Sequence, residues 1–351
     1  MLRGLHCLRQ RCRINLLLTA CRNMSSKTFT LDYVGCFGSL IVKCPHDFAS
    51  IETIDPHNVP NGDKAYVNIE SPDDSVDVSK YCNVEYEKGK SIIKISSQNK
   101  HIIIEKNHEV KINIKIPHNY SIDAEALEID LTENEGEDVK LLSYGNCFVG
   151  KIKSTNTFIK AYGHFKCKEF QGNGLISADR DINIRKIQSN DVFLRSKQEV
   201  DISAVYSQSF DCETNTGNIS IGSLHGVSKL TSDSGLINVD SLSGDLEIST
   251  KSGGINVSIE NTNKSDISSV TADIHVGFGD NVSACIDAEA GFIDVPADFL
   301  TDGVKRKVSN GREYFEGKLG DGKSSVLVNS ENGLIAFSRK NWISKFGKLE
   351  D

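Results

Sequence analysis

The sequence predicts an all-β protein, a single-stranded parallel β-solenoid of about 18–19 residues per coil behind a β-rich N-terminal leader. Three observations predict it. Apolar doublets recur at near-constant spacing through the second half of the chain. A Ser/Thr/Asn–Gly turn precedes several of them. The composition is that of strands and corners: 28 Gly but only two Met, one Trp and six Pro in 351 residues, with Ile, Val, Ser, Asn and Asp carrying the chain.

From the N-terminus, residues 1–31 contain no acid, the first being Asp32, and carry Arg3, Arg9, Arg11, Arg13, Arg22 and Lys27 among Leu2, Leu5, Leu8, Ile14 and Leu16–Leu18. Arg-rich, acid-free and amphipathic is the composition of a mitochondrial transit peptide, expected over residues 1–23. The apolar run Ile14–Ala20 is interrupted by Asn15 and Thr19, which is short for a secretory core. Met24 offers an internal start and a cytoplasmic alternative. Setting residues 1–23 aside leaves 35 basic against 48 acidic residues, so the net charge moves from −8 to −13. A body that acidic lacks the basic surface of a nucleic-acid binder. No apolar run approaches the roughly 20 residues of a membrane-spanning helix.

Residues 28–125 form the leader, a β-rich cap. Its strand candidates are Ser39–Val42, Lys64–Ile69, Ser91–Ile95, His101–Ile104 and the alternating Val110–Pro117, which Pro117 stops.

The solenoid proper is expected over residues 126–340. Ile219-x-Ile221-x-x-Leu224 recurs as Ile237-x-Val239-x-x-Leu242, Ile255-x-Val257, Ile274-x-Val276 and Ile293-x-Val295. Backwards, it recurs at Val200/Ile202/Val205, Ile182/Ile184/Ile187, Phe165/Cys167/Phe170 and Cys147/Val149/Ile152, in steps of 17 to 19. Residues at i and i+2 face one side of a strand, and each coil buries them only against its neighbours. A second inward pair falls between, as Val192/Leu194, Phe210/Cys212 and Leu246/Ile248. The turns Thr214–Gly217, Ser232–Gly235 and Thr250–Gly253 are read as needing glycine for positive φ. A charged insertion at 298–322 precedes a last strand near Leu334–Phe337, and a basic tail, 341–351, closes the chain.

The residue between the inward positions points outward. Along the stack this gives Lys166, Asn183, Asp201, Ser220, Asn238, Asn256, His275 and Asp294. Asp201, Ser220, Asn238, Asn256, His275 and Asp294 are the candidate ligand or partner face. Consecutive stacking would put His275 beside both Asn256 and Asp294, about 5 Å apart, where a His–carboxylate pair could act as a general base.

No P-loop and no Gly-x-Ser-x-Gly elbow occurs, and no catalytic residue is assigned. The seven cysteines after the presequence are Cys36, Cys44, Cys82, Cys147, Cys167, Cys212 and Cys285. Odd in number and without a Cys-x-x-Cys pair, they read as buried reduced thiols. No metal site and no cofactor is expected.

The Gly-x-Ile-x-Val coils, entered through Val110–Pro117 and Tyr120-Ser121-Ile122-Asp123-Ala124, resemble the putative-adhesin β-solenoid family, a domain of unknown function common in bacteria. With the Arg-rich presequence and the segment Tyr314-Phe315-Glu316-Gly317-Lys318-Leu319, the chain is similar to the animal proteins of family with sequence similarity 185. The resemblance implies a β-solenoid and transfers no catalytic residue. The expected function is a non-enzymatic structural or interaction solenoid in mitochondria, binding a protein or carbohydrate through an extended polar face. The alternatives are a secreted or surface adhesive module, whose sequons include Asn218 and Asn256, and an enzyme of unknown chemistry, for which carbohydrate-active β-helices are the natural model.

Overall fold

The computed structural model describes residues 25–54, 64–72, 77–97, 110–296 and 304–339. The expected presequence 1–23, the strand His101–Ile104, the start of the 298–322 insertion and the tail 341–351 lie outside them.

The described residues form an all-β structure whose strands join into one open sheet of 24 strands. A four-residue helical turn, Val78–Tyr81, is the one α-helix among them. The sheet follows the solenoid path. Each coil supplies one segment to a first layer and one to a second, and both bury their inward residues in a common core. Long strands such as Cys147–Ala161, Ile182–Ser196 and Val200–Thr214 contribute to both layers.

Alternation builds the core. In Ile182-Asn183-Ile184 the isoleucines are buried and the asparagine exposed, as strand geometry requires. Parallel pairing then sets Ile182 beside Val200, Val200 beside Ile219, and Ile219 beside Ile237. The expected inward residues from Cys147 to Ile293 are buried, and only Val295 is left partly exposed. Each fully buried Ile, Leu or Phe contributes roughly 1.5–3 kcal/mol of transfer free energy, repeated rung by rung. Outside the core, Glu133, Lys151, Glu169 and Lys186 alternate in sign across successive rungs, so no like charges face each other there.

The turns need glycine for two different reasons. Gly235 has φ of +150°, as expected, but Gly217 and Gly253 are absent from the positive-φ residues. There the reason is close approach. A Cβ on Gly217 would lie 2.1 Å from the Gln198 carbonyl carbon, and one on Gly253 would lie 2.0 Å from Gly235 O. The Ser/Thr that starts each turn is buried, and at two turns it bonds the backbone, whereas the Thr250 hydroxyl has no partner among the described residues. Thr214 Oγ1 donates to Gly217 O at 3.0 Å and lies 3.0 Å from Ser232 Oγ, and Ser330 Oγ donates to Ala272 O at 3.0 Å.

The leader joins the same stack. Phe37–Ile54 runs parallel to Asn119–Asn134 in both layers, and the expected 125/126 boundary falls inside that second strand. Beyond Phe37–Ile54, the first layer adds Lys111–Pro117, Lys64–Ser71 and Ser25–Asp32. The second layer adds Ile92–Ser97 and Cys82–Glu87.

At the other end the stacking departs from chain order. Ser324–Ser330 pairs with Lys264–Ser269 on one side and Ala284–Ala290 on the other. Leu334–Arg339 likewise lies between Ile274–Phe278 and Phe292–Asp294. The hairpin Lys305–Ser309/Arg312–Leu319 runs antiparallel on the far edge of Ala284–Ala290. That edge is then occupied, and the last coil fills the gap on the near edge. The expected contact between the Ile274 and Ile293 coils is therefore replaced by an inserted coil.

Candidate functional site

The polar ladder exists, with one correction. Asp201 stands opposite Ser220, Ser220 opposite Asn238, Asn238 opposite Asn256, and Asn256 opposite His275. All five are exposed or half-buried. His275 then faces Ala336, and Ala336 faces Asp294. The inserted strand thus puts Asp294 two rungs from His275, and the expected neighbour pair is not formed. His275 Nε2 instead lies 2.9 Å from Ser338 Oγ. The ladder's other side-chain bonds are local: Asn183 donates to Asp201 at 3.0 Å and Asn238 to Asp240 at 2.8 Å. Open, flat and solvated, this face presents donors and acceptors at strand spacing and encloses no reaction space.

Two features went unread in the sequence. On the outer side of the second layer, Phe158, Leu175 and Phe193 occupy one column of three successive rungs. Phe158 and Leu175 are exposed. Beside them the rings of Tyr144 and Tyr162 stack at 5.7 Å, and Lys160 Nζ sits 4.6 Å from the Tyr162 ring centroid. The inward-pair rule already locates this column, since each member lies between two inward positions.

The second is a groove of about 980 Å³ along the corners of the leader-side coils. Its lining gathers Phe37, Lys90, Asn119, Glu137, Lys153 and Gln171 from six separate stretches of chain. Phe37 is 71% exposed. Against partial burial, which alone would raise it, Lys153 and Lys151 hold the Glu135 carboxyl below the usual range. Gly38 lines the groove directly over Tyr120, and a Cβ there would meet the ring's Cζ at 2.7 Å. Tyr120 is buried, and its hydroxyl has no hydrogen-bond partner. Burial pushes that phenol up to about 12, with Tyr86 and Cys36 nearby adding to the rise.

Deeper in the cap, Tyr81 donates to Asp47 at 2.7 Å inside the protein. Burial raises the Asp47 carboxyl to about 6, against the opposing effects of Tyr81 and His46. Asp47 Oδ2 is unpaired. This cluster is closed to solvent and belongs to the packing of the cap.

Among the described residues no group of three or more His, Cys, Asp or Glu could hold a metal ion, and no helix is long and apolar enough to cross a membrane. Cys36 and Cys285 are exposed, while Cys44, Cys82, Cys147, Cys167 and Cys212 are buried and free.

The Toastrack DUF4097 family model matches residues 60–336. No curated protein matches the chain. Among solved structures, a putative cell adhesion protein from Clostridium sporogenes is 12% identical, covering 91% of this chain and 100% of its own, with a TM-score of 0.21. A putative adhesin from Parabacteroides merdae is 10% identical, covering 90% and 95%, with a TM-score of 0.33. A putative lipid binding protein from Parabacteroides distasonis is 13% identical, covering 89% and 96%, with a TM-score of 0.30.

Proposed function

The chain belongs to the Toastrack DUF4097 family, and we propose that it is a non-enzymatic interaction module that reads an extended partner through its polar ladder. One observation carries the reading. Asp201, Ser220, Asn238, Asn256 and His275 stand in unbroken register on five adjacent strands. Such a surface recognises by repetition along the stack, not by a pocket. Five variants test it, each carrying a photoreactive residue at one position. Partner crosslinks should form from Ser220, Asn238 and Asn256 and be absent from Lys229 and Glu247 on the opposite layer. Equal crosslinking from both layers, or none from the ladder, would refute the reading.

The mitochondrial address is part of the same proposal, as is the likeness to the animal proteins of family with sequence similarity 185. It rests on the acid-free, Arg-rich residues 1–23. The full chain should become protease-protected in isolated mitochondria, and a chain lacking residues 1–23 should not. Protection of neither would return the choice to the secreted adhesive module.

The groove favours a second, compatible reading. An exposed ring at Phe37, set beside lysines and carboxylates from several coils, suits a hydroxyl-rich ligand such as a carbohydrate. Saturation-transfer NMR with neutral hexasaccharides should show contacts that Phe37→Ala abolishes. A panel giving no transfer would remove this reading and leave the ladder untouched.

A further inference from the structure

Among the described residues, the two layers of the open sheet end out of step, in opposite senses at its two ends. At the C-terminal end the first layer stops at Phe292–Asp294, while the second runs on through Arg312–Leu319 to Lys305–Ser309. At the N-terminal end the second layer stops at Cys82–Glu87. There the first reaches one strand further, to Ser25–Asp32. Among the described residues, Lys305–Ser309 pairs only with Arg312–Leu319, and Cys82–Glu87 only with Ile92–Ser97. Among the described residues, each therefore presents a row of backbone donors and acceptors with no strand beyond it, the template for adding another strand.

The side chains on these two edges match on both faces. Val84 and Tyr86 stand opposite Ile95 and Ile93 and pack against the core, so Asn83, Glu85 and Glu87 face outward. Arg306 stands opposite the buried Phe315, which turns Arg306 and Val308 inward and Lys305 and Lys307 outward. One outer edge thus carries two carboxylates, of which Glu87 is ion-paired with Lys94 and Lys90, and the other two ammonium groups. On the inner side Val308 is 70% exposed, at the end of a column that has no next rung. Among the described residues Lys307 has no ion pair, whereas Lys305 meets Glu316 at 2.9 Å.

We propose that the protein assembles head to tail with further copies of itself, Lys305–Ser309 of one copy adding to the edge of Cys82–Glu87 in the next. The second layer then continues across the junction. Glu85 and Glu87 come to face Lys305 and Lys307, and Val308 is covered by the neighbour's Val84 and Tyr86. Because donor and acceptor edges differ, the contact is heterologous and yields an open series instead of a closed dimer. The proposal does not rest on the ladder, which lies on the other layer and stays exposed along the assembly.

Sedimentation velocity of the full chain tests it over about a hundredfold range of concentration, at low and high salt. The expected result is a series of species that grows with concentration and shrinks with salt. Chains carrying K305E/K307E, or E85K/E87K, should each sediment as monomers. An equimolar mixture of the two should assemble again, because every junction then pairs opposite charges. Val308→Asp, on an exposed side chain, should also give a folded monomer. A wild-type chain that stays monomeric throughout overturns the proposal, and the charged edges then serve only to block aggregation. Assembly that persists in both charge-reversed chains overturns it as well.

Discussion

His275 Nε2 stands 2.9 Å from Ser338 Oγ across 63 positions of sequence, whereas Asp294, on the next coil in chain order, is held off by an intervening strand. The chain closes its C-terminal end by leaving a gap one coil wide and returning to fill it.

This order of strands predicts which side chains are energetically coupled. A double-mutant cycle between His275→Ala and Ser338→Ala should give a measurable interaction energy. The cycle between His275→Ala and Asp294→Ala should be additive to within about 0.3–0.5 kcal/mol. Denaturant unfolding reads both. Coupling confined to the Asp294 pair would mean the strands stack in chain order.

Corner glycines should differ sharply in their tolerance of a methyl group. Gly172 has φ of +113°, and a Cβ there would lie 1.6 Å from Ser154 O. Gly172→Ala is expected to cost about 2 kcal/mol or more, since strain and collision add. Gly89 has open space around it, so Gly89→Ala should fall within about 0.5 kcal/mol of wild type. Urea midpoints compare the two.

Asp47 gives stability a pH dependence of predictable sign. Burial lifts its carboxyl from 3.8 to about 6, so the native state holds the proton more tightly than the unfolded chain. Its contribution is fully favourable below about pH 4, falls as pH rises to about 6, and is lost above. A shift of that size corresponds to up to about 3 kcal/mol. Asp47→Asn should flatten this slope, measured as the difference in urea stability between the two proteins from pH 4 to 7. An unchanged slope would show that the carboxyl is solvated.

Thiol labelling should divide the cysteines. Burial pushes Cys167 up to about 12 and raises Cys147 and Cys212 further, leaving negligible thiolate at neutral pH. Cys36 and Cys285 should react with maleimide in the native protein. Cys44, Cys82, Cys147, Cys167 and Cys212 should react only after unfolding, as mass spectrometry of the digests would show.

The sequence exposed the coil but not the groove. Inward and outward positions of Val200–Val205 or Ile237–Leu242 follow from alternation within a few residues, so the ladder from Asp201 to His275 could be read directly. Phe37, Asn119, Glu137 and Gln171 share no local pattern; only stacking brings them to one wall. The turns were half legible. Their glycines were visible, yet Gly217 and Gly253 are required by the backbone passing beneath them, not by their own φ.

By itself the sequence determined each coil: which residues enter the core, where the chain turns, and which side chains stand outside. These are short-range consequences of strand geometry and turn chemistry. The tertiary structure decided which coil lies against which. Coils are joined by main-chain hydrogen bonds, which are the same for every residue, so any coil of suitable length can occupy a free edge. That freedom let Leu334–Arg339 displace Phe292–Asp294 from the edge of Ile274–Phe278 and gave His275 its neighbour.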